Sequence, residues 1–364
     1  MTDGRPAAPT STTEALSREA IARVDASNQL NDVLALPEHL RDALWRVESA
    51  IMGEWDTPGG LVVAGMGGSA IGGALARAAL GDHASRPIFV TRAYGLPPWT
   101  TPETTVLCAS YSGNTEETLA CYESAGALGA RRVVVTTGGR LAAMAREDNV
   151  PVIPLPGGFQ PRAAVAYMTV AALEVAALSG AGPRLTSEID VAASHTEQLV
   201  AEWGPDAPED SLAKRIARGL HGTAPVIAGA GLTVPIAYRW KTQINENAKQ
   251  PAFAHELPEL DHNELEGWEG ARDFDPPARF SAVFLDDSDA HPRVKERMDL
   301  TQRLIAGSAV ASFHLETRGQ TTIERVISLV LLGDLVSIYM ATLRGVDPGP
   351  VALIEQLKAD LASG

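Results

Sequence analysis

The stretch SYSGNTEET, residues 110–118, places several hydroxyl side chains directly behind the apolar run TTVLC. Ser110, Ser112 and Thr115 fall where a buried strand would end and a helix would begin, and Gly113 lets the backbone turn sharply. Hydroxyl groups beside the free N–H groups of a helix N-terminus can bind a phosphate without any lysine. Serine and threonine also cap helices, so an ordinary N-cap with spare polar residues is the alternative.

A glycine-rich stretch, VVAGMGGSAIGG at residues 62–73, marks another strand-to-helix turn where backbone N–H groups can approach an anion. Its Gly65, Gly67 and Ala70 also satisfy a dinucleotide-binding pattern. The second strand of such a site should end in an acid that binds the ribose, but PIFVTRAYG ends in Thr91 and Arg92. This weakens the nucleotide interpretation without excluding an NADP site, and close helix-strand packing is the structural alternative.

An arginine and a glutamate further along the chain could act on an anionic ligand. Arg162, in GGFQPRAAVAYM, starts an apolar helix, where a guanidinium would be a fixed cation for an oxyanion. A solvated arginine is the ordinary alternative at such a position. Glu246 lies in QINENAKQPAFAHELPELDHNELEGW, residues 243–268, near the end of a helix that stops before Pro251. That position suits a carboxylate that accepts a proton.

The same stretch offers His262, flanked by Asp261 and Asn263, as an acid-base group that a carboxylate would hold. His255 and Glu264 could join them as metal ligands, but the spacing matches no regular metal-binding motif. The sequence therefore predicts no metal site, and a polar surface loop is the plainer alternative.

These side chains need an α/β framework to position them. Short β-type runs alternate with helical stretches in both halves, from GLVVAG and TTVLCAS to APVIAGAG and RFSAVFLDD, which indicates βαβ units and parallel sheets covered on both faces. Strand, glycine turn and helix recur in LVVAGMGGSAIGGALARAAL and PVIAGAGLTVPIAYRWKTQI, so we predict two similar domains. Helices are expected from about Val234 to Lys249 and from about Thr321 to Leu343. Residues 181–210 are rich in proline, glycine and acid, and indicate a crossing segment between the domains.

Bulk properties narrow the possible functions. The chain has 364 residues, 45% of them hydrophobic and 21% charged, which suits a globular protein of two domains. Its 45 acidic and 30 basic residues give a net charge of -15, which disfavours nucleic acid and anionic membranes as partners. No uncharged apolar run is long enough to span a membrane, and residues 1–15 predict a disordered tail. The two cysteines fit a reducing, cytoplasmic compartment.

Five stretches together resemble the bifunctional phosphoglucose/phosphomannose isomerase family over about residues 40–360: GMGGSAIGG, SYSGNTEET, FQPRAAVAY, NENAK followed by DHNELEGW, and LLGDLVSIYMATLRGVDPGPVALIEQLK. The hydroxyl-rich turn by itself marks only the broader sugar isomerase (SIS) group. The resemblance implies two SIS domains, each a parallel sheet flanked by helices, which we place at residues 16–185 and 186–364. It implies an enzyme that interconverts glucose 6-phosphate and fructose 6-phosphate through a cis-enediolate, with mannose 6-phosphate open as a further substrate.

The resemblance also implies roles for individual residues. The substrate phosphate would be bound by Gly68, Ser69, Ser110, Ser112 and Thr115. These residues belong to the two turns described above, so the phosphate site implied by the family coincides with the site that their residue types predict.

For the reaction itself, the resemblance implies that Glu246 moves a proton between C2 and C1 while Arg162 faces the enediolate. His262 and Lys358 would assist ring opening, although Lys358 taken alone is typical of a solvated lysine. A base, a cation and a ring-opening acid suffice for this reaction without metal or redox cofactor. The family further implies a homodimer with shared active sites, to which the partner contributes the histidine.

Two other functions stay open at this point. A phosphosugar-binding sensor or accessory protein could keep the SIS fold without turnover, although Glu246 favours the enzyme because a pure binder has no use for a base. An NADP-dependent dehydrogenase would have to bind a nicotinamide cofactor.

Overall fold

The computed structural model of the protein describes residues 15–271, 273, 274 and 279–363. The predicted tail lies outside the described residues except for its last residue. The helices of the first half are α1 (Arg18–Ala22), α2 (Gln29–Leu34), α3 (Leu36–Ser49), α4 (Gly67–Leu80), α5 (Glu116–Leu128), α6 (Gly139–Glu147) and α7 (Val165–Leu178), with short 3-10 helices at Gly81–His83 and Pro161–Ala164. Its strands are β1 (Leu61–Gly65), β2 (Ile88–Thr91), β3 (Thr105–Ala109), β4 (Arg131–Thr136) and β5 (Val152–Pro154).

The second half repeats the alternation of strands and helices. Its helices are α8 (Thr186–Trp203), α9 (Leu212–Leu220), α10 (Val234–Asn247), α11 (Glu264–Gly270), α12 (Pro292–Ile305), α13 (Thr322–Arg344) and α14 (Ala352–Ser363), with short 3-10 helices at Gly231–Thr233 and Glu259–His262. Its strands are β6 (Ala224–Gly229), β7 (Phe253–Glu256), β8 (Phe280–Asp286) and β9 (Ser312–Glu316).

The first sheet has the strand order β2-β1-β3-β4-β5, and all its pairs are parallel. Strands β1 and β3 are buried at every position because helices cover both faces of the sheet. Their register pairs Leu61 with Thr105 and Gly65 with Ala109. The glycine turn after β1 and the hydroxyl cluster after β3 therefore leave the sheet side by side at its carboxyl edge.

The second sheet has the order β7-β6-β8-β9 and is also parallel throughout. The prediction of an α/β fold with two parallel sheets flanked by helices is confirmed. The predicted helix boundaries near 234 and 321 agree with α10 and α13 to within two residues.

Long apolar helices form the centre of the core. By length and composition, Pro161–Leu178 and Thr322–Arg344 could cross a membrane, but 83% and 94% of their apolar windows are buried inside the protein. Close approach of neighbouring helices depends on glycine: a Cβ added at Gly72 of α4 would lie 2.4 Å from Met168 Cβ of α7. These helices are therefore largely apolar around their circumference because the protein itself surrounds them.

The predicted crossing segment at 181–210 is instead mostly the helix α8. Its buried positions recur at helical spacing: Ile189, Ala192, Ala193, Thr196, Leu199 and Trp203. This face packs against α3 of the first half and α13 of the second. The acidic residues that suggested a loop lie on its outer face, where Asp190 and Glu197 bind Arg41. The proposed boundary at 185/186 remains a prediction, since α8 joins both halves.

Candidate active site

The turn between β1 and α4 approaches a distant part of the chain. A Cβ added at Gly68 would lie 2.6 Å from the carbonyl oxygen of Pro161 and 3.1 Å from Arg162 Cα, so a side chain there would displace the segment that carries the arginine. The neighbouring Ser69 is buried, and its Oγ accepts a hydrogen bond from the Tyr111 amide at 3.3 Å. This bond joins the glycine turn to the hydroxyl cluster.

The hydroxyl cluster is arranged differently from a simple helix cap. Ser110 Oγ and Thr115 Oγ1 are 2.8 Å apart, and the Gly113 amide donates to Ser110 Oγ at 3.1 Å. Thr115 occupies the N-cap position of α5, but its side chain makes no cap bond to the described residues. Ser112 is exposed, and its Oγ accepts from the Asn114 amide at 3.2 Å. Two hydroxyl groups thus face each other beside a helix N-terminus, where an anion is stabilised.

Arg162 lies at the same edge of the first sheet, in the short helix that leads into α7, and its side chain is only 5% exposed. Its Nε donates to Asn247 Oδ1 at 2.7 Å, and its Nη2 donates to the carbonyls of Pro348 and Gly349 at 2.6 and 2.8 Å. Its Nη1 lies 3.4 Å from Glu246 Oε2. The guanidinium therefore joins three separate parts of the chain.

Glu246 comes from the other half of the protein. It precedes the last residue of α10, a helix that follows β6 and returns antiparallel to it. The contacts of Asn247 and Glu246 with Arg162 place the C-terminal end of α10 at the carboxyl edge of the first sheet. With 29% of its side chain exposed, the carboxylate contacts the guanidinium and still reaches solvent. Burial lowers the pKa of Arg162, an effect that Glu246 opposes.

A second arginine, Arg239, binds the backbone of Arg162 and helps to hold it in place. Arg239 Nε and Nη2 donate to the two carboxylate oxygens of Asp334 at 3.0 and 2.7 Å, and the pair is almost fully buried. Arg239 Nη2 also donates to the carbonyl of Arg162 at 3.0 Å. Asn247 Nδ2 donates to Ser337 Oγ of α13 at 2.8 Å. Burial raises the pKa of Asp334, which the contact with Arg239 opposes. The backbone and side chain of Arg162 are thereby both tied to α13.

Comparison with known proteins is consistent with this geometry. A family model described as the bacterial phospho-glucose isomerase C-terminal SIS domain matches residues 209–361. The bifunctional phosphoglucose/phosphomannose isomerase of Caldicellulosiruptor bescii is 40% identical over 304 residues, which cover 83% of this chain and 89% of that protein. The protein of the same name from Aquifex aeolicus is 37% identical over 307 residues, covering 83% and 90%.

The chain belongs to the bifunctional phosphoglucose/phosphomannose isomerase family. Among solved structures, a glucose-6-phosphate isomerase-like protein from Thermus thermophilus superposes with a TM-score of 0.63 at 20% identity, covering 95% of this chain and 99% of that one. At that identity, the structural similarity shows the fold alone. The predicted family and its SIS architecture are confirmed.

Not every residue that the isomerase family implies lies near Arg162. His262 is exposed, in the short helix after β7, whereas Glu246 precedes β7. The two residues therefore lie at opposite ends of a four-residue strand, which alone spans about 10 Å. Lys358 lies on the surface helix α14, and it makes no hydrogen bond or ion pair with any described residue. Neither side chain is brought together with Glu246 within one chain.

The residues considered as metal ligands form separate contacts. His255 Nδ1 forms an ion contact with Glu264, while Asp261 binds Thr301 and Arg297 of α12. Within the described ranges, no group of three or more His, Cys, Asp or Glu side chains is placed to hold a metal ion.

Three residues of the site were missed by sequence reasoning. Asn247 and Lys249 stand in NENAK beside Glu246, so the motif itself carried the signal. Asp32 of α2 carried none, because its place beside Arg162 arises from tertiary packing. Burial raises the pKa of Asp32 to about 6, with Asp25 adding to the increase and Arg162 opposing it. Asp32 and Arg162 line the same small cavity, of about 10 Å³.

Proposed function

We propose that this protein interconverts glucose 6-phosphate and fructose 6-phosphate, and that it also accepts mannose 6-phosphate. The observation that carries the proposal is the 3.4 Å contact between the Glu246 carboxylate and the Arg162 guanidinium. The backbone at Arg162 packs on the glycine turn at Gly68, which Ser69 joins to the hydroxyl cluster. Family membership supports the same reaction, because the relatives named above are phosphoglucose/phosphomannose isomerases.

The reaction needs a base and a fixed cation close together. Aldose-ketose conversion removes a weakly acidic proton next to a carbonyl and returns it to the neighbouring carbon. In our proposal, Glu246 accepts the proton from C2 and delivers it to C1. Arg162 stabilises the negative charge that develops on the enediolate oxygens, and because its guanidinium is held by three carbonyl or amide oxygens, it needs no rearrangement during the reaction.

The phosphate would anchor the sugar away from the reacting carbons. Ser110, Ser112 and Thr115, with the N-terminus of α4 at Gly68 and Ser69, offer hydroxyl and amide donors at one edge of the sheet. Binding energy from this remote group would orient C1 and C2 against Glu246.

Turnover of both epimers tests the proposal. Purified protein should convert fructose 6-phosphate into glucose 6-phosphate and mannose 6-phosphate in coupled assays. In deuterated water, solvent deuterium should appear at the exchanging carbon. Glu246→Gln keeps the shape of the side chain but cannot accept the proton, so turnover should fall by roughly 100- to 10,000-fold with binding retained. Wild-type protein that binds these sugars but never exchanges protons would contradict the proposal.

We further propose a homodimer in which His262 of one chain completes the site of the other. Its support is the separation of His262 from Glu246 across β7 within one chain. Helix α14 adds a second argument, because its apolar side chains lie uncovered on one face: Leu353, Ile354, Leu357 and Leu361 are 88%, 43%, 59% and 65% exposed. A twelve-residue helix is marginal without a packing partner, and a second copy of the chain would cover this face.

Oligomeric state tests the dimer directly. Analytical ultracentrifugation should give twice the mass of one chain, and Leu357→Glu should shift the protein toward the monomer. The matched change Gln356→Glu, on the same helix, should leave the dimer intact. A wild-type monomer, or a dimer that Leu357→Glu does not weaken, would contradict this use of α14.

A cytoplasmic location completes the proposal. Cys108 and Cys121 are both free and buried, which suits a reducing compartment. Fractionation of cells that produce the protein would test this.

A further inference from the structure

Lys249, the second residue after the end of α10, has an unusual backbone conformation. Lys249 has φ +53°, in the left-handed region that glycine normally occupies after a helix. A lysine there is less stable than glycine would be, because its Cβ crowds the backbone. A strained backbone that persists beside a candidate active site calls for an explanation in terms of function.

This conformation turns the lysine side chain back toward the active site. Lys249 Nζ donates to the carbonyl of Glu246 and to the carbonyl of Pro348, the latter at 3.2 Å. Pro348 O also accepts from Arg162 Nη2 at 2.6 Å. The carbonyl oxygen of Pro348 therefore accepts hydrogen bonds from both Arg162 and Lys249. The Lys249 ammonium also binds the backbone carbonyl of Glu246.

The ammonium group has capacity for one more partner. It carries three N–H donors, and two acceptors among the described residues are occupied. The side chain is only partly buried, so a ligand oxygen can approach the third donor.

We infer that Lys249 is a second cation of the active site, which donates to an oxygen on C1 or C2 of the sugar phosphate beside Arg162. This inference rests on the proposed function. The two cations would share the charge that develops on the two oxygens of the enediolate, while Glu246 moves the proton between the carbons.

The electrostatic surroundings agree with this role. Burial and the neighbouring Arg162 lower the pKa of Lys249, while Asp347 and Glu246 oppose the decrease. These are the charged groups that face the ammonium. Activity that depends on a protonated Lys249 should therefore decline at a lower pH than an ordinary lysine would give. An arginine at this position would stay charged.

Three variants separate catalysis from backbone strain. Lys249→Gly relieves the left-handed conformation, so its melting temperature should rise while kcat for fructose 6-phosphate falls at least 10-fold. Lys249→Met should also lower kcat at least 10-fold. Lys249→Arg should retain more activity than Lys249→Met and move the alkaline decline of the pH profile upward. The control is Asn149→Gly, which relieves a similar φ of +55° after α6, outside the site, and should leave kcat unchanged.

The outcomes distinguish the inference from the proposed function. If the wild type is active and both Lys249→Gly and Lys249→Met keep the wild-type kcat, the inference is overturned and the proposed function stands. If Lys249→Arg does not shift the alkaline decline of the pH profile, the lysine has only a structural role and the inference is overturned as well. Wild type that isomerises neither sugar phosphate would overturn the proposed function, and the inference with it.

Discussion

Ser27 occupies the space that a side chain at residue 349 would need. A Cβ added to Gly349 would lie 2.0 Å from Ser27 Oγ and 2.3 Å from Ser27 Cβ. Asp347 binds both partners, since its Oδ1 accepts from Ser27 Oγ at 2.8 Å and from the Gly349 amide at 2.9 Å. The loop before α2 therefore fixes the turn whose carbonyls hold Arg162.

Gly349→Ala should consequently damage the site without touching a catalytic side chain. The added methyl group would push the turn away from Ser27, and overpacking of this kind typically costs about 1–3 kcal/mol of stability. Turnover should fall because the acceptors of Arg162 move. Ser27→Gly removes both clashing atoms, so the double variant should recover part of the stability and activity. Additive losses in this double-mutant cycle would contradict the described contact.

Arg162→Lys tests the guanidinium. A lysine cannot bind Asn247, Glu246 and the two carbonyls at once, so buried acceptors would lose their donors. We expect turnover to fall about 100- to 1,000-fold, the usual effect of removing a charge-stabilising donor. Stability should fall by about 1–3 kcal/mol in a denaturant titration. Arg293→Lys, at an exposed ion pair with Glu296, is the control and should change neither quantity.

The phosphate site is tested by replacing Ser110 and Thr115 with alanine together. Affinity for hexose 6-phosphates should weaken by about 1.5–3 kcal/mol for each lost bond to the phosphate, as an upper range. Isothermal titration calorimetry measures this, and Ser187→Ala on the exposed start of α8 serves as the control. Unchanged affinity with only a lower melting temperature would make the hydroxyl cluster a structural feature of the turn.

The shared site can be tested by complementation. Glu246→Gln and His262→Ala proteins should each have little activity. After subunit exchange, a hybrid dimer would contain one site with both Glu246 and the partner's His262. Equal mixing should then restore up to about a quarter of wild-type activity in a two-fold symmetric dimer. Verified exchange without any recovery would indicate sites built within one chain.

Asp32 should make stability depend on pH. Its folded pKa of about 6 lies above its ordinary value, so the folded protein binds its proton more tightly than the unfolded chain. The stabilisation is fully present below about pH 4 and is lost as the pH rises through 6. Asp32→Asn should therefore stabilise the protein at pH 7.5 by roughly 1 kcal/mol, discounted for partial exposure, and not at pH 4. The exposed Asp82→Asn is the control, and equal effects at both pH values would contradict the prediction.

The sequence predicted the fold well because local patterns carry it. Buried parallel strands are continuous apolar runs, and the glycine and hydroxyl turns follow β1 and β3 directly, so adjacent placement at one sheet edge could be expected. The same reasoning failed at residues 181–210, where proline and acidic residues concealed the helical spacing of the buried face of α8.

The site was predictable only where its residues share a motif. Glu246 and Arg162 were identified separately, and their 3.4 Å contact depends on the way α10 meets the first sheet. Backbone carbonyls at 348 and 349 have no sequence signature at all, since any residue offers one. The positive φ of Lys249 could not be expected either, because a left-handed backbone conformation is normally predicted at glycine and this residue is a lysine.

The carbonyls that bind Arg162 lie 186 and 187 residues further along the chain. During synthesis on the ribosome, the first sheet is complete long before residues 348 and 349 exist. Until then the arginine is a cation without its acceptors, in a half-formed site that cannot orient it. Contacts of such sequence separation form late and slowly. Chains that stop before residue 348 should therefore be catalytically silent, so that isomerisation begins only after residues 348 and 349 have been made.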